Sequence, residues 1–197
     1  MHDPVPLIPV HTRNGKVLYL PLSLAPSRPT AKFMFSHPAH IIALGMGSGL
    51  SRLAPGTAGS LWAWVAFIAL SQWLGDVGWG VLIAISLPVG WWASSVTARN
   101  MGNLDPSNIV IDEIVAFWLV LWLITPTSLL EQALAFALFR YFDAAKPGPV
   151  GWADRLFHNL EPDTDSRAWD KAGWGIMLDD LVAAGCTLLV VAAWRFM

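Results

Sequence analysis

The chain has 197 residues, of which 55% are hydrophobic and 13% charged, with 12 Trp against 2 Tyr and a formal net charge of −2. Soluble domains carry roughly 25% charged residues, so this composition belongs to a membrane protein of one domain's length. The near-neutral charge and the lack of a basic patch give no sign of nucleic-acid binding, and a single cysteine, Cys186, excludes an intramolecular disulfide.

Residues 1–36 hold His2, Asp3, six prolines and four basic residues, with no apolar core of a secretory signal. They are expected to form a polar, Pro-rich irregular tail, and residues 37–197 a membrane-embedded domain. Residues 38–50 are apolar but short and glycine-rich, which predicts a re-entrant or interfacial helix. Residues 53–75 and 77–98 carry no charge. Gly75-Asp76-Val77-Gly78 supplies the turn between them, and Trp73 and Trp79 supply interfacial anchors. This is a helical hairpin whose arms can each cross a core of about 30 Å. A shorter hairpin follows, 114–124 and 129–139, turning at Thr125-Pro126-Thr127-Ser128. The final span is expected at 181–194 and contains Cys186, which reads as a packing residue.

With the turns at Asp76 and Pro126 outside, eleven of the twelve basic residues fall on the cytoplasmic side, with Arg195 the exception. Segments 45–60, 99–113 and 140–180 then meet at the cytoplasmic face. The helix over 114–124 rises only about 17 Å, which draws Asp112 and Glu113 below the headgroup plane. Arg140, Asp143, Asp179 and Asp180 are pulled to a similar depth. Acids at that depth are costly unless paired or metal-bound, and they mark function. The fold class is therefore an all-α integral membrane protein, a multi-span helical bundle with its active site at the cytoplasmic face.

Three acidic motifs converge: Asp112-Glu113, Asp143 and Asp179-Asp180. Arg140 and Lys146 flank Asp143 by three residues on either side, placed to neutralise it or bind a phosphate. Oxygen-only ligands suit Mg²⁺ rather than zinc, and Mg²⁺ polarises a phosphoryl oxygen and activates water. Asp179 and Asp180 point about 100° apart on a helix, so one is free for metal while its neighbour orients water or meets Arg140. The stretch 45–60 adds Ser48, Ser51, Thr57, Ser60 and Arg52, a candidate phosphate cradle or a small-residue packing surface. His37, His40 and His158 lack partners at ligand spacing.

At these residues the chain resembles the phosphatidylglycerophosphatase A family of bacterial membrane phosphatases. The matching blocks are GSGLSRLAPGTAGSL, DPSNIVIDEIVAFW, FRYFDAAKPGPV with Asp154-Arg155 behind it, and GWGIMLDDLVAAG. The resemblance implies Mg²⁺-dependent hydrolysis of phosphatidylglycerophosphate, a phospholipid substrate, to phosphatidylglycerol at the bacterial inner membrane. By matching position it implies metal ligands among Asp105, Asp112, Glu113, Asp143, Asp179 and Asp180. It also implies catalytic roles for Asp112, Asp143 and Asp179 with Arg140 and Lys146, and substrate binding by Thr57, Ser60, Arg140 and Lys146, to which the glycine-rich stretch adds Ser48 as a candidate. Ala116, Ala172 and Ala184 stand where the family is expected to have glycine, and residues 158–171 read as an inserted acidic loop. Two rival functions are a metal-dependent phosphatidyltransferase, whose acids would share one long motif, and an ion transporter, whose charges would flank a central site.

Overall fold

The structure is a computed structural model and describes residues 7–11, 17–21, 28–157, 160 and 165–195. The tail is not wholly irregular. β1 (Leu7–His11) pairs antiparallel with β2 (Val17–Pro21), Leu7 opposite Pro21 and His11 opposite Val17. Two apolar runs around Asn14-Gly15 carry the strongest short-range hairpin signal, which the prolines on either side obscured.

The helical domain opens with two short helices. In α1 (Ala31–Met34), Thr30 Oγ1 caps by accepting from the Phe33 N–H at 3.2 Å. Next, α2 (Pro38–Ala43) starts with Pro at its first position and rises about 9 Å, too little to cross a membrane. A 3₁₀ segment (Gly45–Leu50) then kinks through positive φ at Met46 (54°) and Gly47 (109°). The short apolar element expected at 38–50 is thus a helix and a kinked turn. The Val110 N–H ties it inward by donating to the Ala43 carbonyl at 2.9 Å.

Five longer helices follow: α3 (Pro55–Leu70), α4 (Asp76–Met101), α5 (Ile111–Ile124), α6 (Leu129–Ala145) and α8 (Ala168–Arg195), with α7 (Pro149–Arg155) between the last two. Gly102 ends α4 in the left-handed conformation that favours glycine (φ 63°), and a Ser128/Glu131 capping box starts α6. Among the described residues, α4 and α8 are long and apolar enough to cross a membrane, and α3 is a shorter apolar helix. Large apolar side chains face outward along the bundle, including Val65 and Ile68 on α3, Val81 and Ile85 on α4, Leu130 on α6 and Leu189 on α8. Water would not tolerate so continuous an apolar exterior; lipid does.

The centre of the bundle is α5. It is apolar on nearly every side and buried along most of its length, packed by α3, α4 and α8, with α6 alongside. The Trp118 indole donates to the Ala63 carbonyl of α3 at 2.9 Å, and Phe117 stacks on Phe139 of α6. At one end of the bundle Asp76 accepts from the Trp122 indole at 2.6 Å, and Arg195 donates to the Ile124 carbonyl at 2.8 Å. The opposite end gathers the starts of α3, α5 and α8 and the ends of α4 and α6.

The last helix is longer than the span expected at 181–194. It begins at Ala168, so 168–171 form its first turn rather than the end of an acidic loop. No proline interrupts it, and Gly173 and Gly175 serve close packing. A Cβ on Gly173 would lie 2.1 Å from Ser95 Oγ and 2.9 Å from the Trp91 carbonyl oxygen of α4. Asp179 and Asp180 therefore sit well inside a continuous helix. An uncharged-run criterion stops at the last charge, but a helix keeps charges that have partners inside the protein. Residues 158–159 and 161–164 of the expected loop, His158 included, lie outside the described residues.

A buried acidic centre as candidate active site

The depth of the site follows from where α5 begins. Its first residue, Ile111, lies level with Gly90 of α4 and Met177 of α8, which pack around the same point. From there α4 runs on for about 17 Å to Met101, and α8 has already run about 14 Å from Ala168. Asp112 and Glu113, in the first turn of α5, are thus recessed between longer walls. At an α-helix N-terminus, unsatisfied N–H groups favour negative charge, which suits acids at this position.

Asp112, Glu113 and Asp180 come together there. One carboxylate oxygen from each lies within 4.8 Å of the other two, and all three residues are buried, Asp180 with 2% of its surface exposed. Asp112 Oδ1, Glu113 Oε2 and Asp180 Oδ2 are buried without any hydrogen-bond partner. A buried ionised oxygen without a partner is among the most unfavourable groups a fold can hold. With one carboxylate oxygen from each residue within 4.8 Å of the other two, the three make an all-oxygen donor set that fits a hard divalent ion such as Mg²⁺. The fit rests on this geometry and donor chemistry.

Two ion-paired cations border the cluster. Arg140 Nη1 lies 2.5 Å from Asp143 Oδ2 and 3.9 Å from Glu113 Oε1, and donates to Ser60 Oγ at 3.3 Å. The Ser60 hydroxyl in turn donates to the Gly56 carbonyl at 3.0 Å. Gly56 is glycine because α3 starts against the cluster: a Cβ there would lie 2.2 Å from Glu113 Oε1. On the other side, Lys146 Nζ lies 2.5 Å from Asp179 Oδ2 and also pairs with Asp154 of α7. Asp179 Oδ1 accepts the Asp180 N–H at 3.2 Å.

The structure therefore brings together Asp112, Glu113, Asp143, Asp179, Asp180, Arg140, Lys146 and Ser60, all expected from sequence. The pairing differs in one respect. Arg140 meets Asp143 and Glu113, and the acid beside Asp180 meets Lys146 instead, because α6 ends at Lys146 level with Asp179. Asp105 lies exposed on the α4–α5 loop, close enough for its charge to act on Asp179. Thr57 is half-buried in the first turn of α3 with no hydrogen bond to the cluster among the described residues. Ser48 stays in the 3₁₀ segment, donating to the Gly45 carbonyl at 2.9 Å. Sequence reasoning missed Asp154 as a site residue. The signal was available, since Lys-Pro-Gly-Pro turns the chain back and sets Asp154 eight residues after Lys146. It also missed Asn108, whose amide holds the 3₁₀ segment by donating to the Gly49 carbonyl at 2.6 Å.

A bundle of apolar helices that sinks carboxylates with unpartnered oxygens and two bordering cations below one end defines a helical membrane protein with a buried acidic centre that could bind a metal ion. Phe117 and Leu121, further along α5 from the cluster, are fully buried together with Phe139 of α6. The chain belongs to the Phosphatidylglycerophosphatase A family, whose sequence profile matches residues 41–195. It is 35% identical over 170 residues to the Phosphatidylglycerophosphatase A of Haemophilus influenzae, covering 86% of this chain and 96% of that one. It is 34% identical over 153 residues to the Escherichia coli protein of the same name, covering 78% and 81% respectively. A Bacteroides thetaiotaomicron protein provisionally assigned as a phosphatidylinositol-3-phosphatase is 34% identical over 162 residues, 79% of this chain and 92% of its own. No solved structure matches the chain.

Proposed function

We infer that this chain hydrolyses the terminal phosphomonoester of phosphatidylglycerophosphate, giving phosphatidylglycerol and inorganic phosphate in phospholipid biosynthesis. The observation that carries the reading is the set of three buried, unpartnered carboxylate oxygens on Asp112, Glu113 and Asp180, bordered by Arg140 and Lys146. Family membership supplies the substrate; the site supplies the chemistry.

In this reading Asp112, Glu113 and Asp180 hold Mg²⁺, which when bound polarises a phosphoryl oxygen as a Lewis acid. Arg140 and Lys146 take the peripheral phosphate oxygens and offset the substrate's negative charge. Asp143 and Asp179 fix where those two cations point, since each already holds one of them. The recess positions the phosphate at the floor while the glycerol and acyl chains stay toward the lipid, which flanks the outward-facing apolar side chains. Because nine of the ten basic residues among the described residues lie toward this end, Arg195 being the exception, the site faces the cytoplasm of the inner membrane.

The test is phosphate release by the purified protein from phosphatidylglycerophosphate, with phosphatidylinositol-3-phosphate offered in parallel. Both lipids carry a headgroup phosphomonoester, so the two arms separate headgroup preference from the shared chemistry. Turnover of phosphatidylglycerophosphate to phosphatidylglycerol supports the reading. Release from the inositol lipid alone would overturn it.

A further inference from the structure

Asp154 takes no part in the reaction described above, yet the chain makes an elaborate local fold to deliver it. Lys146 ends α6 in the left-handed region (φ 45°, ψ 48°), and Gly148 (φ 53°) leads into Pro149 at the start of α7. Gly151 then presses on the α6 terminus, where a Cβ would lie 2.6 Å from the Lys146 carbonyl oxygen. Val150 and Ala153 are fully buried, and α7 packs along α8. The outcome is that the Lys146 ammonium sits between two carboxylates, Asp154 and Asp179.

Asp179 differs from its neighbours in one way. Lys146 holds its Oδ2 and the Asp180 N–H holds its Oδ1, whereas Asp112, Glu113 and Asp180 each keep an oxygen with no partner. An ammonium at 2.5 Å competes with a divalent cation for Asp179. Lysine is a point charge on a flexible stem, so a second carboxylate can retain it through a change of partner.

We propose that Asp154 is a positioning residue that retains Lys146 when the ammonium leaves Asp179, so that Asp179 becomes available to the divalent cation while Lys146 stays at the phosphate. The inference rests on the reading of the acidic centre as a metal and phosphate site. Removing the Asp154 charge leaves Lys146 more firmly on Asp179, in competition with the metal. Removing the Lys146 charge ends that competition.

The experiment uses Mn²⁺ as the probe and reads its binding to chelator-stripped protein by electron paramagnetic resonance without lipid, alongside KM and kcat for lipid phosphate release. Asp154→Asn is expected to weaken Mn²⁺ binding about tenfold and raise KM more than it lowers kcat. Asp154→Glu, which keeps the charge, is expected to restore most of both, and Lys146→Met to bind Mn²⁺ more tightly than wild type while losing turnover. Unchanged Mn²⁺ affinity in folded Asp154→Asn, or weakened affinity in Lys146→Met, would overturn this inference alone. Lys146→Met keeps it falsifiable if Asp154→Asn fails to fold. Wild-type protein that binds no Mn²⁺ would overturn both this inference and the metal-site reading beneath it.

Discussion

A carboxylate oxygen buried without a partner works against folding, so three of them, on Asp112, Glu113 and Asp180, need a benefit elsewhere. That consideration separates catalysis from structure at single residues. Asn matches Asp in shape and lacks its charge. Asp180→Asn or Asp112→Asn should therefore preserve or raise the melting temperature by relieving repulsion. The same changes should lower turnover about 10²-fold or more, since each 1.36 kcal/mol of lost transition-state stabilisation is tenfold in rate. Phosphate release and a thermal melt on the same samples check both halves, and near-normal activity in either folded variant would leave the acidic centre without a role. Gly56→Ala tests the approach of α3. Its Cβ would fall 2.2 Å from Glu113 Oε1 and must displace that side chain, so activity should drop while helix content stays. Both acids of the Asp112-Glu113 pair were legible in sequence because charge is conspicuous inside an apolar run. Asp154 was passed over although the turn before it pointed to it, because it lies outside the long apolar runs, where an acid carries no such contrast.

Helix boundaries show where periodicity and composition stop being informative. The hairpin read at 53–75 and 77–98 became α3 and α4 with small shifts at the ends, since Asp76 and the glycines around it set the turn. At α8 the reading failed by thirteen residues, from 181 back to Ala168, because charge was taken as a boundary when it was cargo. The N-terminal hairpin was missed for the opposite reason: its prolines suggested irregularity while Asn14-Gly15 pointed to pairing. Close contact of α8 with α4 is the feature of this fold most exposed to mutation. Gly173→Leu should push the helices apart at Ser95 and Trp91, destabilising the protein by about 1–3 kcal/mol as overpacking does. A melting temperature equal to wild type would show that the contact is looser than drawn. Arg195→Ala, at the far end, removes the group that caps the Ile124 carbonyl, and should lower stability by about 1 kcal/mol while leaving kcat unchanged.

For the whole molecule the question is which way the acidic end faces. Single cysteines at Gly75, on the α3–α4 turn, and at Ser107, on the α4–α5 loop, lie at opposite ends and are both exposed. In a Cys186→Ala background, an impermeant thiol reagent applied to intact cells should label Gly75→Cys and spare Ser107→Cys until the cells are opened. The reverse pattern would place the acidic centre outside the cytoplasm. The bundle also explains why fold and chemistry are inseparable here. A short central α5 surrounded by longer helices creates the recess, and its apolar core makes charge buried at the floor of that recess costly without a counter-charge.

The most direct test of that claim is the Mg²⁺ dependence of phosphate release from phosphatidylglycerophosphate, measured for wild type and Asp180→Asn after chelation. The acidic centre requires wild-type activity to vanish with chelator and return as Mg²⁺ is added back, with Asp180→Asn needing far more Mg²⁺ or failing at any concentration. Full turnover in metal-free buffer, or the same Mg²⁺ requirement in both proteins, would contradict it.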